Sequence, residues 1–149
     1  MKRKLLNIVT LAVLFITGSC TTNPEPINFG TDQCEHCRMT IVDNKFGAEI
    51  ITVKGKIFKF DAAECMVRYV KTGKINDGDV KQYLVVDASK PAQLTDAKKA
   101  AYLISENFPS PMGANLSAYE NRSDADSFQK NYQGEIKSWD DILVKFKMK

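Results

Sequence analysis

The 149-residue chain has a single histidine and a single tryptophan, and it lacks recognisable catalytic motifs. It contains no glycine-rich phosphate loop, no serine elbow and no carboxylate pair of distinctive spacing. His36 and Cys37 are a poor nucleophile and base, because adjacent side chains of an extended segment point apart. These absences argue against an enzyme.

The chain also has little net charge once its first residues are set aside. Of 21 lysine and arginine residues, three lie at positions 2–4, which leaves 18 against 18 aspartate and glutamate residues. Nucleic-acid-binding domains usually carry a basic excess. The composition therefore predicts no nucleic-acid partner.

A hydrophobic run long enough to span a membrane is missing as well. The apolar stretch at residues 5–16 is shorter than the roughly 20 residues that a transmembrane helix needs. Basic residues precede it, and two small residues and Cys20 follow, which is typical of a signal peptide over residues 1–19 and resembles a bacterial lipobox. We expect Cys20 to carry a lipid that anchors the protein at the periplasmic face of a bacterial membrane. Thr21 is not an acidic retention signal, which favours the outer membrane.

Three thiols remain if Cys20 is lipidated, namely Cys34, Cys37 and Cys65. Cysteines outside the cytoplasm are normally paired, but an odd number cannot all pair within one chain. At least one thiol must therefore stay free, bind a metal or join a partner. A scaffold held together by disulfides is a poor interpretation.

The first half of the folded part begins after residues 20–33, which we interpret as the lipidated cysteine and a proline-containing tether. Two β-prone segments, 48–53 and 56–60, flank a tight turn. Asp61 can cap a helix that ends at a glycine, and residues 80–87 form another strand.

The second half repeats this order. Residues 98–105 and 114–120 are strand candidates, Ser123 can cap a helix, and a short strand follows at Glu-Ile-Lys before a last helix capped by Ser138. Both halves contain Asp-Ala, a helix, glycine, a charged residue and isoleucine. We predict an α+β fold of two related ββαβ units, at about 38–87 and 98–137.

Soft metal donors are concentrated in DQCEHCRMTI, residues 32–41. The C-x-x-C pair formed by Cys34 and Cys37 has three interpretations: a redox pair, a zinc site with His36 and Cys65, or a copper site. The redox interpretation is weakened because the pair does not end a strand and begin a helix. The zinc interpretation is weakened because Cys34, His36 and Cys37 do not easily converge on one ion.

Met39 favours copper. If Cys37 begins a strand, residues 37 and 39 project from the same face. A thiolate beside a thioether suits Cu(I), whereas zinc has little use for thioether sulfur. The alternative interpretation of Met39 is ordinary packing in the core.

Two further segments carry soft donors. Met112 lies in the sequence PSPMG, where the two prolines and the glycine constrain an exposed loop, and it is therefore a candidate ligand. Cys65 and Met66 are weaker candidates, because they lie on an amphipathic helix and Met66 is expected to pack in the core.

The segments CEHCRM, FGAEI, FDAAECMVRY and PMGANLSAYENRSDADSF, after a lipoprotein leader, closely resemble the NosL family. The resemblance covers Cys34 to about Ile136. It implies a lipoprotein that binds Cu(I) and delivers it to nitrous oxide reductase, in concert with the copper-assembly machinery of that denitrification enzyme. It also implies two ββαβ units similar to those of the organomercurial lyase MerB.

Carried onto this chain, the resemblance implies a copper-binding domain over residues 34–149. The implied ligands are Cys34, Cys37 and Met39, with Met112 and His36 in addition. The family typically has glycine before the methionine, where this chain has Arg38. A thiol-disulfide oxidoreductase and a structural zinc-binding lipoprotein stay open as alternatives.

Overall fold

The computed structural model describes residues 23–146. Its elements in chain order are β1 (Ala48–Thr52), β2 (Ile57–Phe60), α1 (Ala63–Lys71), a short 3₁₀ helix (Asp77–Asp79), β3 (Val80–Val86), β4 (Leu94–Asp96), β5 (Ala101–Ile104), β6 (Leu116–Tyr119), α2 (Arg122–Tyr132), β7 (Glu135–Lys137) and α3 (Trp139–Lys145). The predicted signal peptide and Cys20 lie outside the described residues.

The first sheet follows the predicted ββαβ order and adds one strand. Its strand order is β2-β1-β3-β4, with every neighbouring pair antiparallel. The turn between β1 and β2 contains Gly55 at φ +83°, a left-handed conformation that glycine adopts readily. Strand β4 is not predicted from the sequence, because it has only three residues and is defined by its pairing with β3.

The second sheet repeats the order of the first. It has the strand order β6-β5-β7, and α2 connects β6 to β7. A parallel bridge between Asp87 and Ala118 joins the end of β3 to β6. The predicted fold of two ββαβ units is thus confirmed.

Helix α1 lies between the two units. It packs against β1 and β2 of its own sheet and against β6 of the other. Its buried side chains include Cys65, Met66 and Val67, which belong to one large hydrophobic core together with Trp139 and Ile142 of α3. The N-terminal end of α1 is consequently enclosed by protein on several sides.

Two predicted helix caps are wrong and one is confirmed. The residue before α1 is Ala62 and the residue before α2 is Asn121, neither with a capping hydrogen bond from its side chain, so Asp61 and Ser123 do not cap. Ser138 does cap α3, since its hydroxyl oxygen accepts from the amide of Asp141, and its own amide donates to the Asp141 carboxylate. This reciprocal pair is a capping box.

Part of the segment interpreted as a tether packs against the folded body. Ile27 is buried, and Gly30 donates a backbone hydrogen bond to Ile41. Lys59 of β2 binds the carbonyl of Pro26 and, at 2.8 Å, the carboxylate of Asp32. Within residues 23–146, no helix is both long and apolar enough to cross a membrane.

Candidate metal centre

Residues Cys34 to Arg38 form a compact turn. The amide of Arg38 donates to the carbonyl of Cys34 at 2.9 Å, and the amide of Cys34 donates to the carbonyl of Met39 at 2.8 Å. Arg38 has φ +65°, the region where glycine is favoured. Arginine, where the family typically has glycine, adopts this left-handed conformation here.

Cys37 lies in this turn and does not begin a strand. The prediction that residues 37 and 39 project from the same face of a strand is therefore wrong. The hydrogen bonds that close the turn curl the backbone around Cys34, which an extended segment cannot do. A bridge between Gln33 and Thr40 closes the base of the loop.

Cys65 is brought to this turn from the first turn of α1. The sulfur atoms of Cys34, Cys37 and Cys65 all lie within 4.8 Å of one another. Cys34 and Cys65 are fully buried, Cys37 is half-buried, and all three are free thiols. Cys65 is a weaker candidate than the other donors on sequence grounds, but it belongs to the only such cluster of histidine, cysteine and acidic side chains found within residues 23–146.

The three thiols differ strongly in acidity. A hydrogen bond from the Cys65 thiol lowers the pKa of Cys34 to about 5, assisted by backbone amides and opposed by burial. The hydrogen bond to Cys34 and burial raise the pKa of Cys65 well above its usual range. Burial, together with the nearby Cys34 sulfur, raises the pKa of Cys37. These shifts favour the thiolate at Cys34 over the other two sulfurs.

Backbone amides surround the Cys34 sulfur. They belong to Cys37, Asp61 and His36. The amide of Asp61 lies just before α1, where the helix dipole also favours negative charge. Asp61 thus contributes its backbone to the thiolate instead of capping the helix.

The other predicted donors lie in different settings. Met39 is 53% exposed, Met112 is half-buried against the large core, and Met66 is fully buried within it. Met66 therefore has the packing role expected for it. The Nδ1 atom of His36 is buried and has no hydrogen-bond partner among the described residues.

Within residues 23–146, three of the four buried side-chain polar atoms without a hydrogen-bond partner belong to residues in or next to the thiol cluster, and the fourth belongs to Glu49. Besides His36, they include a carboxylate oxygen of Asp61 and one of Glu64, which directly precedes Cys65. Such atoms are rare in folded proteins and mark sites of strain or function. Burial raises the pKa of Asp61 to about 6, with a smaller contribution from the negative charge of Cys34.

The donor set fits a soft metal ion. Three thiols that nearly touch can become thiolate ligands of copper or zinc, and cysteine sulfur is preferred by both Cu(I) and Zn²⁺. The signal for the third thiol was present in the sequence, since Cys65 was the only other cysteine left without a partner. The sequence could not show that Cys65 lies near Cys34 and Cys37, because that depends on how α1 packs.

The fold and the thiol cluster define a small α+β protein with a three-cysteine site that could hold a soft metal ion. A family model described as NosL matches residues 26–146. The chain belongs to the NosL family.

Comparison with solved structures agrees with this assignment. The crystal structure of the copper chaperone NosL from Shewanella denitrificans matches with a TM-score of 0.67 and 22% sequence identity, covering 80% of this chain and 94% of that one. At this identity the likeness establishes the fold. A search of curated proteins finds no significant match.

Proposed function

We propose that this protein is a lipid-anchored, extracytoplasmic Cu(I) chaperone that delivers copper to nitrous oxide reductase. The proposal is supported above all by the three thiols within 4.8 Å of one another. Family membership and the similar copper chaperone support the same function. No catalytic step is needed, because copper is the cargo.

The unequal burial of the donors suits a carrier. Cys34 and Cys65 are enclosed, whereas Cys37 is half-buried and Met39 is largely exposed. A ligand from a recipient protein can approach the ion from the side of Cys37 and Met39. Copper then passes through an intermediate bound by both proteins, with the buried thiols released last.

Competition for Cu(I) tests the proposal. The reduced protein is titrated with Cu(I) against a chromogenic chelator, alongside Cys37→Ser and Met39→Leu. We expect binding much tighter than micromolar that weakens in Cys37→Ser. Micromolar or weaker binding that neither substitution affects would rule out the function.

Delivery and anchoring need a separate test in cells. We expect cells without this protein to make nitrous oxide reductase that is deficient in copper. Cys20→Ser should move the protein from the membrane fraction to the soluble periplasmic fraction. If the reductase is fully loaded with copper in the deletion strain, nitrous oxide reductase is not the recipient of this protein's copper.

A structural zinc site is a second candidate, favoured by the three neighbouring thiols, which suit zinc as well as copper. His36 is not part of that cluster, so a fourth ligand would have to come from elsewhere. Stoichiometric zinc after purification, together with unfolding on chelation, would support it. The copper chaperone predicts instead an apo form that stays folded without metal.

A thiol-disulfide oxidoreductase is a third candidate, favoured by the unequal acidity of Cys34 and Cys37. A low pKa at one cysteine of a C-x-x-C pair is typical of redox sites. Insulin reduction at rates near those of known oxidoreductases would support this function. We expect no such activity.

A further inference from the structure

The loop that carries Met112 is connected to the first turn of α1 through the buried carboxylate of Glu64, which accepts a hydrogen bond from Ser110 and another from the amide of Ala114. Ser110 donates its hydroxyl to a carboxylate oxygen of Glu64, and both side chains are buried. Glu64 lies in the first turn of α1, next to Cys65. The loop is thereby held at the thiol-bearing end of α1.

Met112 occupies the tip of a tight turn that begins at Ser110. The amide of Gly113 donates to the carbonyl of Ser110 at 3.0 Å, and Gly113 has φ +71°. Pro111 restricts the backbone at the preceding position. Because the hydrogen bond between Gly113 and Ser110 closes the turn and Pro111 restricts its backbone, the position of Ser110 determines the position of Met112.

A buried acid is a costly choice for this contact. The other oxygen of Glu64 has no hydrogen-bond partner among the described residues, and an apolar side chain of similar size would avoid that cost. The carboxylate accepts hydrogen bonds on both sides of Met112, from the hydroxyl of Ser110 and from the amide of Ala114. A residue that has to hold a hydroxyl-bearing loop in one place does need an acceptor.

We propose that Glu64 and Ser110 form a clamp that holds the Met112 turn over the thiol cluster, so that the Met112 thioether is presented to the bound copper ion. The clamp rests on the proposed function, and both of its members are positioning residues. Glu64 holds Ser110 in place, and Ser110 in turn holds the turn that carries Met112.

Substitution of the clamp with and without Met112 tests the proposal. The variants are Glu64→Leu and Ser110→Ala, each made alone and combined with Met112→Leu. Anaerobic competition gives the Cu(I) affinity, and thermal melting gives the stability of the copper-free protein. Ser117→Ala is the matched control, because Ser117 is also a buried serine whose hydroxyl contacts Leu103 and Tyr119 of the second sheet.

We expect each clamp substitution to weaken Cu(I) binding about fivefold when Met112 is present and to have no effect in the Met112→Leu background, since residues of one network are not additive. Glu64→Leu should melt somewhat lower than the original protein, because the Ser110 hydroxyl and the Ala114 amide lose their acceptor, so the comparison between the two Met112 backgrounds carries the test. Ser117→Ala should leave Cu(I) affinity unchanged.

Equal weakening in both backgrounds would overturn the proposal in favour of a general structural role. Unchanged affinity in Glu64→Leu and Ser110→Ala would overturn it as well. If the original protein shows no thiol-dependent Cu(I) binding, the proposed function itself fails. If binding depends on Cys37 but not on the clamp, only the clamp fails.

Discussion

The sulfur atoms of Cys34 and Cys65 lie within 4.8 Å of each other and share a hydrogen bond, although strands β1 and β2 separate them in the sequence. One atom belongs to a surface turn and the other to the first turn of a buried helix. The hydrogen bond favours the thiolate at Cys34 and raises the pKa of Cys65. This arrangement makes Cys65 a central residue of the candidate site.

Loss of the third thiol should weaken metal binding. In Cys65→Ser we expect the affinity for Cu(I) to fall at least about tenfold, since a soft donor is replaced by a hard one. Chelator competition under reducing conditions measures the change. Met66→Leu is the control, because Met66 is buried packing beside Cys65 and should leave the affinity unchanged.

Copper binding should release a defined number of protons. Cys34 is already ionised above a pH of about 5, whereas Cys37 and Cys65 keep their protons at neutral pH because their pKa values are raised. Binding to all three sulfurs therefore releases about two protons at pH 7, and affinity rises with pH.

Isothermal titration in buffers of different ionisation enthalpy counts these protons. Cys65→Ser should release one proton fewer. Release that is equal in both proteins would show that Cys65 stays a thiol when copper is bound.

Glycine at position 38 should stabilise the thiol turn. Arg38 has φ +65°, a conformation that costs a non-glycine residue about 1 kcal/mol. Its ion pair with Glu35 is exposed and contributes little. We expect Arg38→Gly to be about 1 kcal/mol more stable than Arg38→Ala, as chemical denaturation would show.

Arg38→Ala serves as the comparison because it also loses the ion pair but keeps the strained backbone. Equal stability of the two variants would mean that the turn relaxes without cost. Copper affinity should change little in either variant, since Arg38 supplies no donor atom to the thiols.

The buried carboxyl of Glu49 should make stability depend on pH. Burial raises the pKa of Glu49 to about 7, although the amide of Glu25 and the charge of Lys59 act in the opposite direction. A carboxyl whose pKa is raised on folding contributes stability at pH below about 4.5 that is lost as pH rises through about 7.

Glu49→Gln should therefore stabilise the protein at pH 8, by up to about 3 kcal/mol, and much less at pH 4. Melting temperatures across this range measure the difference. Glu106→Gln is the control, because Glu106 is exposed. A constant gain at every pH would contradict a titration of Glu49.

Much of the fold could be predicted from local patterns. The β1 and β2 hairpin, helix α1, strand β3 and the capped helix α3 were all recognised, because hydrophobic periodicity and turn residues act over a few positions. The two wrong caps are instructive. Asp61 has the residue type of a cap, but its amide faces the Cys34 thiolate and its side chain is buried.

The candidate site was predicted only in part. Cys34 and Cys37 are separated by two residues, so their proximity follows from the chain itself. The inference that residue 39 shares a strand face with residue 37 failed, because hydrogen bonds to Cys34 close a turn there. The contact of Ser110 with Glu64 had no sequence signal, since the two residues lie in different ββαβ units.

The sequence by itself determined the donors, the ββαβ order of each half and the resemblance to a copper-binding family, because each of these depends on residues that are close together in the chain. Only the tertiary structure decided that Cys65 joins the C-x-x-C pair and that the Met112 turn is held at the same end of α1. Packing of α1 between the two sheets brings these segments together, and packing is a property of side chains that are distant in the sequence.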